Sequence, residues 1–265
     1  MDCNTLSWNI RGLNNPARRT VVVDFVRNHN CRLVCLQETK LDSINNAIIA
    51  ETLGSRFIDN FSYLPAVGRR GGILIAGSSD HLKITPLANL TGLYSLTIMV
   101  TDLDSNSSWT VTGVYGPQSD EDKRNFLLEM RQLQTVTSPE WLILGDFNLI
   151  SRADEKSNSN INLRMIRSFR AVIDDLGLKE LPLTGRRFTW SNERLNCTLT
   201  KIDKALFSAE WEAKFPDFQM IAGSSEISDH CPLILKKISN KRFTGFRFEA
   251  WWPMTDGFAD IVSQS

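Results

Sequence analysis

Short apolar runs, rich in β-branched residues or leucine, recur along the whole chain, and several stop abruptly at a carboxylate or an amide. Leu6-Ser7-Trp8 ends at Asn9, Val34-Cys35-Leu36-Gln37 at Glu38, and Leu142-Ile143-Leu144-Gly145 at Asp146, with Asn148 two residues on. The run over 109–114 ends at Tyr115, whereas Ser228-Asp229-His230 immediately precedes an apolar run, as expected if that strand points the opposite way. Their length and their Gly, Asp and Asn flanks suit strands. Three segments carry helical spacing instead. Residues 16–29 begin with proline and place Val22, Phe25 and Val26 on one face. Residues 120–133 have an acidic first turn and a stripe of Phe126, Leu127, Met130 and Leu133. Residues 163–176 repeat the pattern with Ile166, Phe169, Ile173 and Leu176. Strands outnumber helices and helices interrupt them, which predicts an α+β chain: two packed sheets with helices outside.

Packed sheets gather strand ends along one rim, and this rim carries Glu38, Asp146, Asp229, Asn9 and Asn148 with one histidine. The three histidines and five cysteines, without a Cys-x-x-Cys pair, argue against a zinc site or a disulfide framework and suit a reducing compartment. Carboxylates and amides are hard ligands for Mg²⁺ or Mn²⁺. A metal held this way polarises a phosphoryl oxygen and stabilises a leaving oxyanion. His230 is then better used for proton or charge chemistry than as a ligand, and Asp203, in Lys201-Ile202-Asp203, is placed to orient it. The reaction class is metal-assisted phosphoester hydrolysis. Taken singly, each element is commonplace, since Asp-x-Asn after a strand usually closes a local turn. Lysine plus arginine balances aspartate plus glutamate at 30 each, so any polyanion must be met by local patterning. No uncharged apolar run approaches the ~18 residues of a membrane span, and no secretory leader precedes the first strand. Residues 154–162, dense in Ser and Asn, read as a long surface loop, and 1–238 as the main domain. Residues 239–265 read as a separate tail, basic and then aromatic.

The ordered set changes the weight of the parts. Trp8-Asn9-Ile10-Arg11-Gly12-Leu13, Leu36-Gln37-Glu38-Thr39-Lys40, Val114-Tyr115-Gly116-Pro117, Gly145-Asp146-Phe147-Asn148, Phe188-Thr189-Trp190, Lys201-Ile202-Asp203 and Ser228-Asp229-His230 together resemble the endonuclease/exonuclease/phosphatase superfamily. Gly68-Arg69-Arg70-Gly71-Gly72 and Phe188-Thr189-Trp190-Ser191-Asn192 look most like its apurinic-endonuclease-like branch, from plant LINE-type (non-LTR) retrotransposons. The tail resembles the connector such polyproteins place before their reverse transcriptase.

The resemblance implies a four-layer α/β sandwich of two mostly antiparallel, mixed sheets, and a monomeric, nuclear, Mg²⁺-dependent enzyme. That enzyme nicks DNA to leave a 3′-hydroxyl and a 5′-phosphate. Position by position, Glu38 is implied as the metal-binding glutamate with Asn9 beside it, and Asp229 as a carboxylate near the metal. Asp146 is the group that positions or deprotonates water, Asn148 and Tyr115 contact the phosphate, and Asp203 pairs with His230. Thr189 and Ser228 are implied as small polar contacts to substrate or to the active-site network. Arg11 departs from the aspartate that many repair enzymes carry there, which weakens a second metal contact at that position. His230 as base and His230 as charged phosphate clamp both remain open. Arg69, Arg70, Arg186, Arg187 and Lys201 are candidates for backbone phosphates. Residues 191–200 resemble the hairpin that LINE endonucleases present to DNA grooves, with Asn192, Arg194 and Asn196 as candidate readers of groove edges. A phosphoesterase of the same superfamily acting on RNA, nucleotides or inositol phosphates, or a catalytically dead binding remnant, would share these features.

Overall fold

Alternation along each strand decides which layer a side chain serves. A computed structural model of the protein describes residues 3–68, 71–134 and 137–238; the 239–265 tail lies outside them. Its first half runs β1 (Asn4–Asn9), α1 (Pro16–Asn28), β2 (Cys31–Gln37), α2 (Asn46–Thr52), β3 (Phe61–Leu64), β4 (Ile73–Gly77), β5 (Leu82–Pro86), β6 (Ser95–Asp102) and β7 (Ser107–Tyr115). The rest runs α3 (Asp120–Gln134), β8 (Trp141–Asp146), α4 (Leu163–Asp175), β9 (Lys179–Glu180), β10 (Leu183–Thr184), β11 (Trp190–Ser191) and β12 (Leu199–Thr200). It closes with β13 (Asp203–Phe207), α5 (Ala209–Lys214), β14 (Phe218–Ala222) and β15 (Leu233–Lys237). One sheet has the order β10-β14-β15-β1-β2-β4-β3, the other β5-β6-β7-β8-β13-β9, and β11-β12 form a separate hairpin. Among the described residues only β1/β2, β10/β14 and β7/β8 pair in parallel, so both sheets are mixed and mostly antiparallel, as expected.

On β2, Leu33 and Cys35 face inward and meet Ile98, Val111, Leu142 and Leu144 of the other sheet. Val34 and Leu36, one residue out of step, face outward with Leu6 and Trp8 beneath Val22 and Val26 of α1. The opposite sheet turns Val114, Ile143 and Leu206 outward beneath Phe126 and Met130 of α3 and Phe169 and Val172 of α4. This is a four-layer sandwich with three apolar seams. Each fully buried aliphatic side chain in them contributes about 1.5–3 kcal/mol. Cys3, Cys31 and Cys35 are free and buried, and burial pushes the thiols of Cys31 and Cys35 up to about 12, so they pack as small hydrophobes.

The helices begin where the sequence signals them. Asn15 accepts a hydrogen bond from the Ala17 N–H ahead of Pro16, and Asn162 accepts one from Met165 at the start of α4. Residues 154–162 run along the surface as expected, exposed at 154, 157–160 and 162, and are anchored at a few points. Glu155 is only 2% exposed. Beyond it, Lys156 bridges Thr200 and the Ser157 N–H donates to the Leu199 carbonyl, so this segment runs alongside the hairpin.

Candidate active site

The topology brings the rim together. Because β1/β2 and β7/β8 are parallel pairs, Asn9, Gln37, Tyr115 and Asp146 all finish at the same end. β13 is antiparallel to β8 and pairs Asp203 with Asp146 in register. β15 is antiparallel to β1, so Ser228-Asp229-His230, just ahead of it, returns to the same rim. The backbone there is strained. Among described non-glycine residues with positive φ, four are neither Asn nor Asp, and three of these ring the rim: Arg11 (55°), Glu38 (56°) and Lys40 (56°). Such conformations persist where surrounding structure over-determines them and mark candidate functional sites. Gly71 is equally constrained, because a Cβ there would lie 2.7 Å from Glu38 Cγ and 3.0 Å from Tyr115 Cε1.

At the centre lies Asp146, 1% exposed. Asn9 Nδ2 donates to its Oδ2 at 2.9 Å, the Asn148 N–H donates to Oδ1 at 2.9 Å, and Asn148 Nδ2 reaches Oδ2 at 3.3 Å. Burial pushes its pKa up, and the Asp203 charge adds to this, against the pull of His230. His230 Nδ1 lies 3.0 Å from both Asp203 oxygens, leaving Nε2 facing Asp146 Oδ2 at 3.8 Å and Asp229 Oδ1 at 4.0 Å. Burial alone would lower the His230 pKa; Asp203 and Asp146 outweigh it and hold it at about 9. These carboxylates therefore favour the imidazolium form of the ring. Tyr115 keeps its proton, because burial and then the Glu38 and Asp146 carboxylates push its pKa up.

Glu38, 5% exposed, stands at the edge of this group. Lys40 Nζ lies 3.1 Å from its Oε1, and Arg11 Nη1 lies 3.4 Å from Oε2. Oε2 is buried yet makes no hydrogen bond. The Arg11 guanidinium meets its charge without hydrogen-bonding it, and a hard divalent ion would fit the unused lone pairs. Asp146, Asp203 and His230 also hold ligand-capable atoms within 4.8 Å of one another. There the two carboxylates are also engaged by His230, Asn9 and Asn148.

Glu38, Tyr115, Asp146, Asp229 and His230 line a cleft of about 740 Å³, whose walls also carry Lys123, Lys156, Asn192, Arg194 and Trp190. Several expected roles shift. Asn9 turns its Oδ1 onto the Arg11 N–H at 3.2 Å, while its Nδ2 aligns Asp146. Asn148 Nδ2 also bonds the Gly116 carbonyl at 2.7 Å, which engages both amide hydrogens inside the protein and leaves none for a phosphate. Thr189 is fully buried, and its hydroxyl accepts from the N–H groups of Ile202 and Asp203. It fixes Asp203 from behind and does not reach the cleft. Ser228 donates to the Asn9 carbonyl at 2.7 Å and accepts from the His230 N–H at 3.1 Å, joining two strand ends. Asp229 is bound by Arg11 and by Trp190 Nε1 at 2.8 Å, which hold its carboxyl below the usual range against burial. Asn192 and Arg194 line the cleft and Asn196 does not. Arg69 and Arg70 lie outside the described residues.

Other contributors escaped the sequence reading. Lys40 was legible only as a member of a motif and Arg11 only as a departure at a metal-contact position, and neither was expected to pair with Glu38. Behind the rim, Lys204 is fully buried, 2.8 Å from Glu155 and 3.3 Å from Glu180, with Lys201 also paired to Glu180. A lysine inside the otherwise apolar run of β13 was the signal for it.

The sequence profile described as Endonuclease/Exonuclease/phosphatase family matches residues 6–230. No curated protein matches the sequence. Among solved structures, the endonuclease domain of TRAS1, a telomere-specific non-LTR retrotransposon, is similar at 12% identity and a TM-score of 0.64, covering 89% of this chain and 98% of that one. The AP endonuclease LMAP from Leishmania major is similar at 17% identity and a TM-score of 0.66, covering 90% and 88%. D. rerio TDP2, complexed with a single-strand DNA product, is similar at 14% identity and a TM-score of 0.58, covering 88% and 98%. At these identities the likeness is one of fold. Among the described residues no helix is long and apolar enough to cross a membrane.

Proposed function

Because the chain belongs to the endonuclease/exonuclease/phosphatase family, whose members hydrolyse phosphoester bonds, we propose that it is a divalent-metal-dependent DNA endonuclease of the LINE type. It nicks one strand to leave a 3′-hydroxyl and a 5′-phosphate, acting as a monomer on nuclear DNA ahead of reverse transcription. The observation that supports this most is the convergence of Glu38, Asp146 and His230, from three separate strand ends, on a single cleft, with Asp203 behind His230.

Glu38 would hold the ion, Mg²⁺ or Mn²⁺. When bound, the ion supplies charge to a phosphoryl oxygen and to the leaving oxygen. Asp146 orients water and takes its proton, since a carboxyl raised by burial is a better base near neutral pH than an exposed one. Asn9 and Asn148 fix that carboxylate in one orientation. The His230 imidazolium, oriented by Asp203, directs Nε2–H toward the phosphoryl oxygens, and the Tyr115 hydroxyl donates from the cleft wall. The phosphorus–O3′ bond breaks as the bond from water forms. Lys123, Lys156 and Arg194 on the walls suit a polyanion longer than one phosphate.

The test offers the chain, with Mg²⁺, supercoiled plasmid, single-stranded RNA, nucleoside triphosphates and inositol phosphates. The expected result is nicking of the plasmid, with ends that a DNA polymerase extends directly. Release of phosphate from the small molecules with an intact plasmid would replace this reading with a phosphomonoesterase.

A further inference from the structure

Arg11 carries a charge that no step above uses, and its placement is specific. Its Nε and Nη2 donate to Asp229 Oδ1 and Oδ2 at 2.7 and 2.6 Å, a two-pronged pairing that fixes the guanidinium plane. Nη1 then lies 3.4 Å from Glu38 Oε2, the buried oxygen without a hydrogen bond. The backbone is held as firmly, with φ at 55° and the Arg11 carbonyl accepting from Arg18 Nη1 at 3.1 Å. One guanidinium thus spans carboxylates from the end of β2 and the start of β15, the arrangement a bridging cation would otherwise make.

A second divalent ion in this pocket would sit beside a guanidinium that cannot lose its proton. We propose that Arg11 is a tethered cation that limits this pocket to one divalent ion by keeping Asp229 out of the ligand set. This rests on the divalent-ion reading of Glu38 given above.

Titration calorimetry with Mn²⁺ on the full chain counts the ions without any substrate. The unaltered chain should bind one ion. Arg11→Gln, which releases Asp229 Oδ1 and removes the positive charge beside Glu38 Oε2, should bind two, and Arg11→Lys should return the count to one. Arg11→Asp carries the same expectation of two should Arg11→Gln fail to fold, as judged by circular dichroism. Two ions in the unaltered chain, or one in both the unaltered chain and the neutral variant, overturns the proposal while leaving the Glu38 site standing. No ion bound to the unaltered chain overturns the divalent reading itself, and this inference with it.

Discussion

Replacing Asp203 with Asn separates the two roles open to His230. With 3.0 Å between Nδ1 and the carboxylate oxygens, the Coulomb attraction at an effective dielectric of about 20 is roughly 5 kcal/mol. Burial opposes it, and the net result is an imidazole pKa of about 9 against 6.5 for an ordinary histidine. Asn preserves the shape and one acceptor oxygen but removes the largest raising charge, so the pKa of the ring falls, with Asp146 and Asp229 still opposing burial. If the imidazolium clamps the phosphate, nicking at about pH 7.5 falls by at least ~10-fold and recovers in part as the pH is lowered. If His230 were the base, making it neutral would sustain or raise the rate there. The folded-state pKa of His230 lies above its unfolded value. Its stabilising contribution, roughly 3 kcal/mol, is therefore complete below about pH 6.5 and lost as the pH rises through about 9. Histidine-selective NMR titration of both proteins, beside urea denaturation across that range, measures each quantity. A ring that still titrates near 9 in Asp203→Asn refutes the reasoning.

Other perturbations probe the remaining supports. Gly71→Ala places a methyl 2.7 Å from Glu38 Cγ, an overpacking of about 1–3 kcal/mol. It should raise the Mg²⁺ concentration for half-maximal nicking about ~10-fold, and an unchanged Mg²⁺ dependence would show that Glu38 is not held by this contact. Lys204→Met leaves Glu155 and Glu180 with Lys201 alone, so urea unfolding should show a loss of about 3 kcal/mol. A stability within about 0.5 kcal/mol of the parent would mean the cluster adds nothing. Changing Asn192, Arg194 and Asn196 together to Ala should move the nick positions on a mapped plasmid more than it changes the rate, and an identical cleavage map removes the hairpin from substrate recognition.

Much of the scaffold was written in local pattern. The alternation of Leu33, Val34, Cys35 and Leu36 between two seams, and the stripes on α1, α3 and α4, follow directly from strand and helix periods. The rim was legible for the same reason, since apolar strands ending at polar residues must place them at sheet edges. Strands β3, β5 and β14 were harder, being short and half-exposed, with polar residues on one face. The roles of Asn9, Asn148 and Thr189 depended on which atom each amide or hydroxyl turns inward, a matter of tertiary contact. Glu155 looked like one acidic residue in a polar loop; only the fold brings Lys204, 49 residues away, to meet it.

The account requires one divalent ion site and one carboxylate base to act together on a DNA phosphodiester. The direct measurement is relaxation of supercoiled plasmid by the unaltered chain, Glu38→Ala and Asp146→Asn, with Mg²⁺ and with a chelator. The account predicts nicking by the unaltered chain that stops with chelation, and a loss of at least ~100-fold in each variant. Equal rates in all three proteins, or nicking indifferent to the chelator, would contradict it.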